Sequence, residues 1–563
     1  MQTNPLWFKD AIFYELNVRA FADGNGDGHG DFIGLTQRVD YLVDLGVDCV
    51  WLLPFYPSPL RDDGYDVSDY RNIAPLFGTL DDFKTAVEAL HQRGIRVIID
   101  LVINHTSEQH PWFIESRSSL DNPKRNWYVW SDTDQKYQET RIIFLDTEGS
   151  NWTFDPITRE YYWHRFYREQ PDLNFDNPEV QEELLDVMRF WLRLGIDGFR
   201  VDAVPYLFER EGTNCENLSE THEYIRRMRA TIKAEYPECI LLAEANQWPQ
   251  ELIPYLEDDE FDMAFHFPLM PRLFMGVRKE DRADIVHILE QTPAIPERTQ
   301  WCVFLRNHDE LTLEMVTEEQ RQWMWQEYAP ETRMRLNLGI RRRLAPLLEN
   351  HKGKILLLHA IMFGLPGSPI LYYGDEIGMG DNIWLRDRNG VRTPMQWDSS
   401  AHAGFSTAES TYEPVIDDPV YGYHRVNVET QASDPDSLLN MLRHYIRVRR
   451  NQPALGRGSF KMIHPENQSV FAFERYYEDP SGHQTRVLVV ANLSGSQQQV
   501  VLTDLENCLG TTPYDLLTDA VFEPIQTTIY TIDLEPYRCL WLQLHVEGDL
   551  MKEATSENLY ENR

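Results

Sequence analysis

Three acidic residues stand at the ends of short apolar runs. Asp202 closes Gly198–Phe–Arg–Val–Asp202, Glu244 follows Ala243, and Asp309 closes Arg306–Asn–His–Asp309. A fourth run ends Asp100–Leu–Val–Ile–Asn104–His105. Carboxylates delivered singly by different strands can do general-acid and nucleophilic work once their surroundings drive their pKa values apart. Residues i and i+2 of a strand share a face, so Arg200 lies beside Asp202 and favours its ionised form. Asp202 is thereby suited to attack, and Glu244, from another strand, to hold a proton. That division of labour is what cleavage of a glycosidic bond requires. Any one strand-end acid also reads as half of a structural ion pair; four successive strand ends do not.

These ends share a rim only if the strands run parallel. Apolar runs fall at Ile12–Phe21, Val47–Pro54, Ile95–Asn104, Ile196–Val204, Ile240–Ala245, Asp262–Phe267, Trp301–His308 and Pro369–Gly374. Helical periodicity follows each, as in Leu80–Arg93 and Val180–Leu194. Strands that are apolar throughout suit a parallel sheet covered on both faces. The expected fold is α/β: a (β/α)8 TIM barrel over residues 1–104 and 176–455, with extra helices at about 310–350. Residues 105–175, rich in Trp and Tyr, are too many for a structureless loop. They are expected as an inserted domain B after strand 3, the aromatics forming its core. Short alternating runs over residues 456–546 predict a C-terminal antiparallel β-sandwich, and residues 547–563 a polar tail.

Composition narrows the partners. Fifty-three Lys+Arg against 90 Asp+Glu give a formal charge of −37, which argues against nucleic acid and anionic membrane surfaces. The uncharged run Ile355–Tyr373 is interrupted by Gly364, Pro366, Gly367 and Pro369 and reads as helix, turn and strand. The N-terminus carries no signal-peptide pattern, and six dispersed cysteines read as reduced thiols of a cytoplasmic protein.

The segments DLVINH, GFRVDAV, AEANQW and FLRNHDE resemble, in order, the four motif regions of the α-amylase superfamily, glycoside hydrolase family 13. The resemblance implies Asp202 as nucleophile, Glu244 as general acid/base and Asp309 as a third carboxylate on the sugar hydroxyls. It implies His105, Arg200 and His308 as residues holding the glucosyl unit, with Asp63 and Tyr65 as its hydrogen bond and stacking platform. Arg392 matches an arginine closing the pocket in exo-acting members. The phrases GFRVDAVPYLFE, LLAEANQWP, FLRNHDELTLE and RNGVRTPMQW are similar to those of members that interconvert maltose and trehalose, with glucose as a trapped intermediate and minor hydrolysis. An exo-acting α-glucosidase of oligo-1,6-glucosidase type is the alternative. The same resemblance implies Arg141, Asn246 and Glu314 as gating residues; for Arg141 and Glu314 an ordinary surface role stands equally open. By analogy the C-terminal sandwich supports a homodimer or homotetramer.

Two metal sites are expected. Asp23, Asn25, Asp27, His29 (through its carbonyl) and Asp31 place oxygens at alternate positions around glycines, as in the opening of a Ca2+ loop. Gly34 replaces the closing Glu of an EF-hand, and a solvated turn is the alternative. By resemblance alone, Asn104, Asp172, Tyr206, Leu207 and Glu209 form a second site, Tyr206 and Leu207 through carbonyls. Ca2+ is expected in a structural role, with Mg2+ an alternative at one site.

Overall fold

The computed structural model describes residues 4–546 except 258, 504, 506 and 507; the tail expected at 547–563 lies outside the described residues. Among these, eight strands close a parallel barrel: β1 Phe13–Leu16, β2 Cys49–Leu52, β3 Arg96–Val102, β4 Gly198–Asp202, β5 Ile240–Ala243, β6 Met263–Phe265, β7 Gln300–Phe304 and β8 Ser368–Tyr372. Every residue of these strands is buried, because layered side chains fill the inside and helices cover the outside. The helix Leu80–Gln92 opens with a capping box between Thr79 and Asp82 and buries Phe83, Ala86, Val87 and Leu90. The helix Pro178–Arg193 begins with Pro178 at its first position and Asn177 as its cap.

After β3 the chain leaves the barrel. The strands Trp130–Ser131, Glu160–Trp163 and Trp152–Asp155 form a small antiparallel sheet, whose core includes Val129, Trp152 and Trp163. Bridges His105–Asp172 and Tyr128–Leu173 close its base. The run Ile355–Tyr373 is the helix Lys352–Gly364 followed by β8. No helix among the described residues is long and apolar enough to cross a membrane.

The extra helices expected at about 310–350 are only half of what is there. The helix Glu318–Tyr328 is present, but Leu311–Thr312, Gly339–Ile340 and Arg335–Leu336 pair as a small antiparallel sheet. Alternation of polar and apolar residues from 310 to 314 outweighs helical propensity here.

Residues 459–546 build a sandwich of a six-stranded sheet and the pair Gln498–Leu502 with Tyr530–Leu534. It packs closely on the barrel: a Cβ on Gly364 would lie 3.2 Å from both Phe473 and Val489. Between β8 and the helix Leu438–Arg450 the chain has little regular structure. It is held by hydrogen bonds, as from Tyr372 Oη to the Val391 carbonyl (2.8 Å) and from Arg341 Nη1 to the Leu385 carbonyl (2.8 Å).

Candidate active site

Parallel register sets the centre of the site. Asp100 on β3 pairs with Arg200 on β4, and Val102 with Asp202. Arg200 is buried; its Nη1 donates to Asp100 Oδ1 at 2.7 Å and also to Asp202 Oδ1. Its Nη2 lies 3.9 Å from Glu244 Oε2, so one guanidinium spans the carboxyls of Asp202 and Glu244. The chain turns sharply after β4 because Ala203 takes a left-handed conformation, φ +53°, which costs an alanine about 1 kcal/mol. The turn aims the Ala203 N–H at Glu244 Oε2 (2.9 Å) and the Val204 N–H at the Glu244 carbonyl (3.2 Å).

Burial pushes Asp202 up to about 7; Arg200 opposes and Asp100 reinforces the rise. Burial likewise pushes Glu244 up to about 7, against Arg200 and with Asp202. The pair therefore retains a proton near neutrality. Direct contact with Arg200 favours ionisation of Asp202, leaving that proton on Glu244. For Asp309 burial is outweighed by His308, Arg388 and Arg392, which hold its carboxyl well below the usual range. Asp309 stays ionised.

Tyr65, His105, Arg200, Asp202, Glu244 and Asp309 all line one pocket of about 790 Å³, counted with its mouth. Tyr65 stacks on His308 with centroids 5.4 Å apart and 8° between planes. His308 is therefore the support behind the platform and not part of the pocket wall. Its Nε2 meets Tyr65 Oη at 2.8 Å and lies 3.2 Å from Asp309 Oδ2. Burial lowers His105 to about 3, so it is neutral.

Besides His308, expected to hold the glucosyl unit, two sequence assignments need correction. Asp63 does not reach the pocket: at φ +46° its carboxylate turns to Arg19 (3.2 Å), Asn17 (3.1 Å) and Arg392 (3.3 Å). Its neighbour Asp62 lines the pocket instead. Arg392 sits behind the wall, donating to Asp309 Oδ1 (3.1 Å) and the His308 carbonyl (2.9 Å). The lining arginine is Arg388, whose Nη2 meets Asp62 Oδ1 at 2.7 Å and whose Nη1 meets Asp309 Oδ1 at 2.8 Å. The doublet Asp62–Asp63 and the nearby arginines Arg388 and Arg392 offered these alternatives, but only backbone geometry selects among them. Glu310 was also missed; it lines the pocket, and burial pushes it up to about 7 against Arg388.

Domain B covers the site. Ile143, Phe144 and Phe166 line the pocket from its side. Arg141 ties the two parts together through Glu314 (2.7 Å), Glu216 (2.8 Å) and Tyr206 Oη (3.3 Å). Asn246 Nδ2 donates to Thr312 Oγ1 at 3.2 Å. The three residues named for gating thus all bear on the pocket or its latch.

The residues named for the two cation sites differ in how well they suit an ion. Asp172 Oδ2 is buried without a hydrogen-bond partner. Burial pushes Asp172 up to about 8 and Glu209 well above the carboxylate range, Asp172 adding to the latter. Two adjacent buried acids with an orphaned oxygen suit a hard cation, with Asn104 hydrogen-bonded to Asp172. In the loop after β1, Asp23 accepts from Gly26 N–H (2.6 Å) and Gly28 N–H (2.8 Å), and Asp31 from Gly24 (3.1 Å) and Gly34 (2.6 Å). These acids are satisfied within the loop, so it fits a cation less well. No group of three or more His, Cys, Asp or Glu side chains converges on a metal position among the described residues.

Comparison with known proteins agrees with this geometry. Residues 16–458 match the model of the alpha amylase catalytic domain, and residues 460–541 that of the maltogenic amylase C-terminal domain. A protein of Mycobacterium tuberculosis named trehalose synthase/amylase is 56% identical over 551 residues, 97% of this chain and 91% of that one. A trehalose synthase of a Pimelobacter species is 53% identical over 96% of each chain. Among solved structures, the trehalulose synthase of Pseudomonas mesoacidophila superposes with a TM-score of 0.77 at 29% identity, covering 96% of this chain and 99% of its own.

Proposed function

This chain belongs to the alpha-amylase family, and on that footing we propose that it is an isomerase converting maltose to trehalose, reversibly, inside one closed pocket. Asp202 attacks the anomeric carbon of the non-reducing glucose while Glu244 protonates the bridging oxygen. A β-glucosyl ester on Asp202 and a free glucose result. That glucose turns and presents its anomeric hydroxyl; Glu244, now a base, removes the proton, and attack on the ester rebuilds an α-linkage. Two inversions give retention. Water competes with the returning glucose at the second step and yields minor hydrolysis. Asp309 and Arg388 hold the glucosyl hydroxyls against Tyr65.

The observation that carries this reading is the latch Arg141–Glu314 over a pocket whose acids share one guanidinium. Closure raises the effective concentration of the released glucose and excludes water. A plain α-glucosidase gains nothing from confining its leaving group.

We further propose a structural divalent cation, Ca2+ or Mg2+, held by Asn104, Asp172 and Glu209 with the carbonyls of Tyr206 and Leu207. Bound there, it would tie domain B to the barrel. The loop Asp23, Asn25, Asp27, His29, Asp31 is the weaker Ca2+ candidate. Buried thiols at Cys49, Cys239 and Cys302, all pushed up by burial, suit a reducing, cytoplasmic setting.

The test is a mixture of uniformly 13C-labelled and unlabelled maltose. Intramolecular isomerisation gives trehalose of the two parental masses. Trehalose of intermediate mass as a main product would mean transfer between molecules; glucose alone would mean a hydrolase.

A further inference from the structure

Glu15 is a fully buried acid that the proposed reaction does not use. It stands near the end of β1, paired with Trp51 on β2 and Tyr372 on β8. Strand alternation turns Tyr14 to Glu376 and Glu15 to the opposite face, where it meets the segment after β7. Glu15 Oε1 accepts the His308 backbone N–H (3.0 Å) and lies 2.6 Å from His308 Nδ1. Across the ring, His308 Nε2 meets Tyr65 Oη at 2.8 Å, and Tyr65 Oη lies 3.2 Å from Asp100 Oδ2. Asp100 in turn binds Arg200, which donates to Asp202. Four buried side chains, Glu15, His308, Tyr65 and Asp100, thus run from β1 to the guanidinium beside the nucleophile.

Hydrogens along this chain can be counted. The Tyr65 hydroxyl has one hydrogen and two neighbours. Burial pushes Asp100 up only to about 6, against Arg200, so near neutrality its Oδ2 is an acceptor and takes that hydrogen. His308 Nε2 must then carry its own hydrogen, given to Tyr65 Oη, with Asp309 Oδ2 also 3.2 Å away. A bare Nε2 would instead leave two acceptor pairs, Oη with Oδ2 of Asp100 and Nε2 with Oδ2 of Asp309, without a hydrogen between them. One further hydrogen lies in the contact of Nδ1 with Glu15 Oε1. Burial favours placing it on the acid, raising Glu15 well above the carboxylate range and lowering His308 well below its own. A carboxyl oxygen can accept the His308 N–H and share a hydrogen with Nδ1 at once; an amide oxygen can only accept.

We propose that Glu15 is a positioning residue for the glucosyl end of the pocket: by sharing a hydrogen with His308 Nδ1 it keeps the other ring hydrogen on Nε2, and so turns the Tyr65 hydroxyl to Asp100. The direction of every bond from β1 to Arg200 follows from that one shared hydrogen. Reversing it would leave Tyr65 without its bond to Asp100 and Asp309 facing a bare nitrogen. The inference rests on the first half of the proposed reaction, glucosyl transfer to Asp202, and not on the return of the glucose.

The test is Glu15→Gln, which keeps the shape. Its carbonyl must take both the His308 N–H and an Nδ1–H, which strips Nε2. Expected is a roughly tenfold fall in kcat/KM for maltose consumption, the worth of about one good hydrogen bond, with the thermal midpoint little changed. In a Tyr65→Phe background the same change should cost less than about twofold, because the hydroxyl it steers is gone. In protein labelled with 15N-histidine, the ring signals that vanish in His308→Gln should show Nε2 protonated in the wild type and bare in Glu15→Gln. A bare Nε2 in the wild type, an unchanged kcat/KM, or an equal fall in both backgrounds would overturn the proposal. Should Glu15→Gln fail to fold, the wild-type nitrogen pattern decides. Wild-type protein that consumes maltose without making trehalose would remove the isomerase reading and leave this inference standing.

Discussion

The pocket and the seam between barrel and sandwich both bury arginines, and they do so oppositely. In the pocket, Arg200 and Arg388 meet carboxylates: Asp100, Asp202, Asp62 and Asp309. At the seam, Arg475 donates to the carbonyls of Gly364 (2.8 Å), Leu455 (2.9 Å), Gly458 (2.9 Å) and Ser459 (3.2 Å), and Arg449 to those of Phe363 (2.6 Å) and Gly367 (2.9 Å). Facing carbonyls, the Arg475 guanidinium stitches the sandwich to the barrel through Gly364, and Arg449 ties together two segments of the barrel. With no carboxylate bonded to them, burial lowers Arg475 to about 9 and Arg449 to about 10. In the pocket the acids exceed the guanidinium groups they share, so the surplus carboxyls keep protons. The same buried cation serves as a staple in one region and tunes acids in the other.

The largest effect that sharpens this contrast comes from the pocket. Asp202→Asn should cut both isomerisation and hydrolysis of maltose by at least about 10^4-fold, because the covalent route is lost, while the thermal midpoint moves little. The check is single-turnover kinetics alongside a melting curve. A variant retaining a tenth of wild-type turnover would end the nucleophile assignment.

Next comes the seam. Arg475→Met leaves four carbonyls without this donor and should cost about 2–4 kcal/mol, on the scale of one or two buried acceptors left unsatisfied. Native molecules that remain should turn over maltose normally. Urea unfolding, with kcat measured on the folded fraction, separates the two. Loss of kcat at full stability would show that seam and pocket are coupled.

What the sequence revealed divides along similar lines. The barrel strands were legible because parallel strands buried on both faces are continuous apolar runs, and Asp202, Glu244 and Asp309 because each closes such a run. Asp62 and Arg388 were not legible: which of two nearby acids or arginines enters the pocket goes with left-handed backbone at Asp63 and at Asp387, which spacing does not encode. The Glu310–Glu314 alternation was visible but was absorbed into the helical pattern around Trp323 and Trp325. The seam arginines left no signature at all, since every residue carries a carbonyl. Domain B's aromatics were read as core; Trp127, Trp152, Tyr162 and Trp163 are buried, whereas Phe144 and Phe166 line the pocket.

A smaller effect concerns pH. The productive pair carries one proton, with Asp202 ionised and Glu244 protonated. Lowering pH protonates Asp202 and removes the nucleophile; raising it deprotonates Glu244 and removes the acid. With burial pushing both up to about 7, kcat/KM for maltose should be a bell centred near neutrality, falling about tenfold per pH unit outside its limbs. On an aryl glucoside with a good leaving group, Glu244→Gln should lose the alkaline limb and keep the acidic one. Persistence of the alkaline limb would assign it to another group.

The smallest expected effect tests whether a third arrangement, two buried acids whose nearby arginine, Arg165, is ion-paired to Glu216, joins domains as the seam does. Asp172 and Glu209 lie where domain B meets the barrel. If a divalent cation bridges the two acids, chelation should lower the thermal midpoint by about 1–2 °C, the size expected from about 1–2 kcal/mol in a protein this large. Ca2+ should restore it. Asp172→Asn keeps the shape but removes one charge from the pair; it should be insensitive to chelator and to added Ca2+. Because Arg141 anchors the latch from the same domain, the chelated wild type should also release more glucose per maltose consumed. A variant still stabilised by Ca2+ would move the cation to the loop of Asp23 and Asp31. A wild type indifferent to chelation would mean that Asp172 and Glu209 keep their protons and join the domains by hydrogen bonds, with no ion between them.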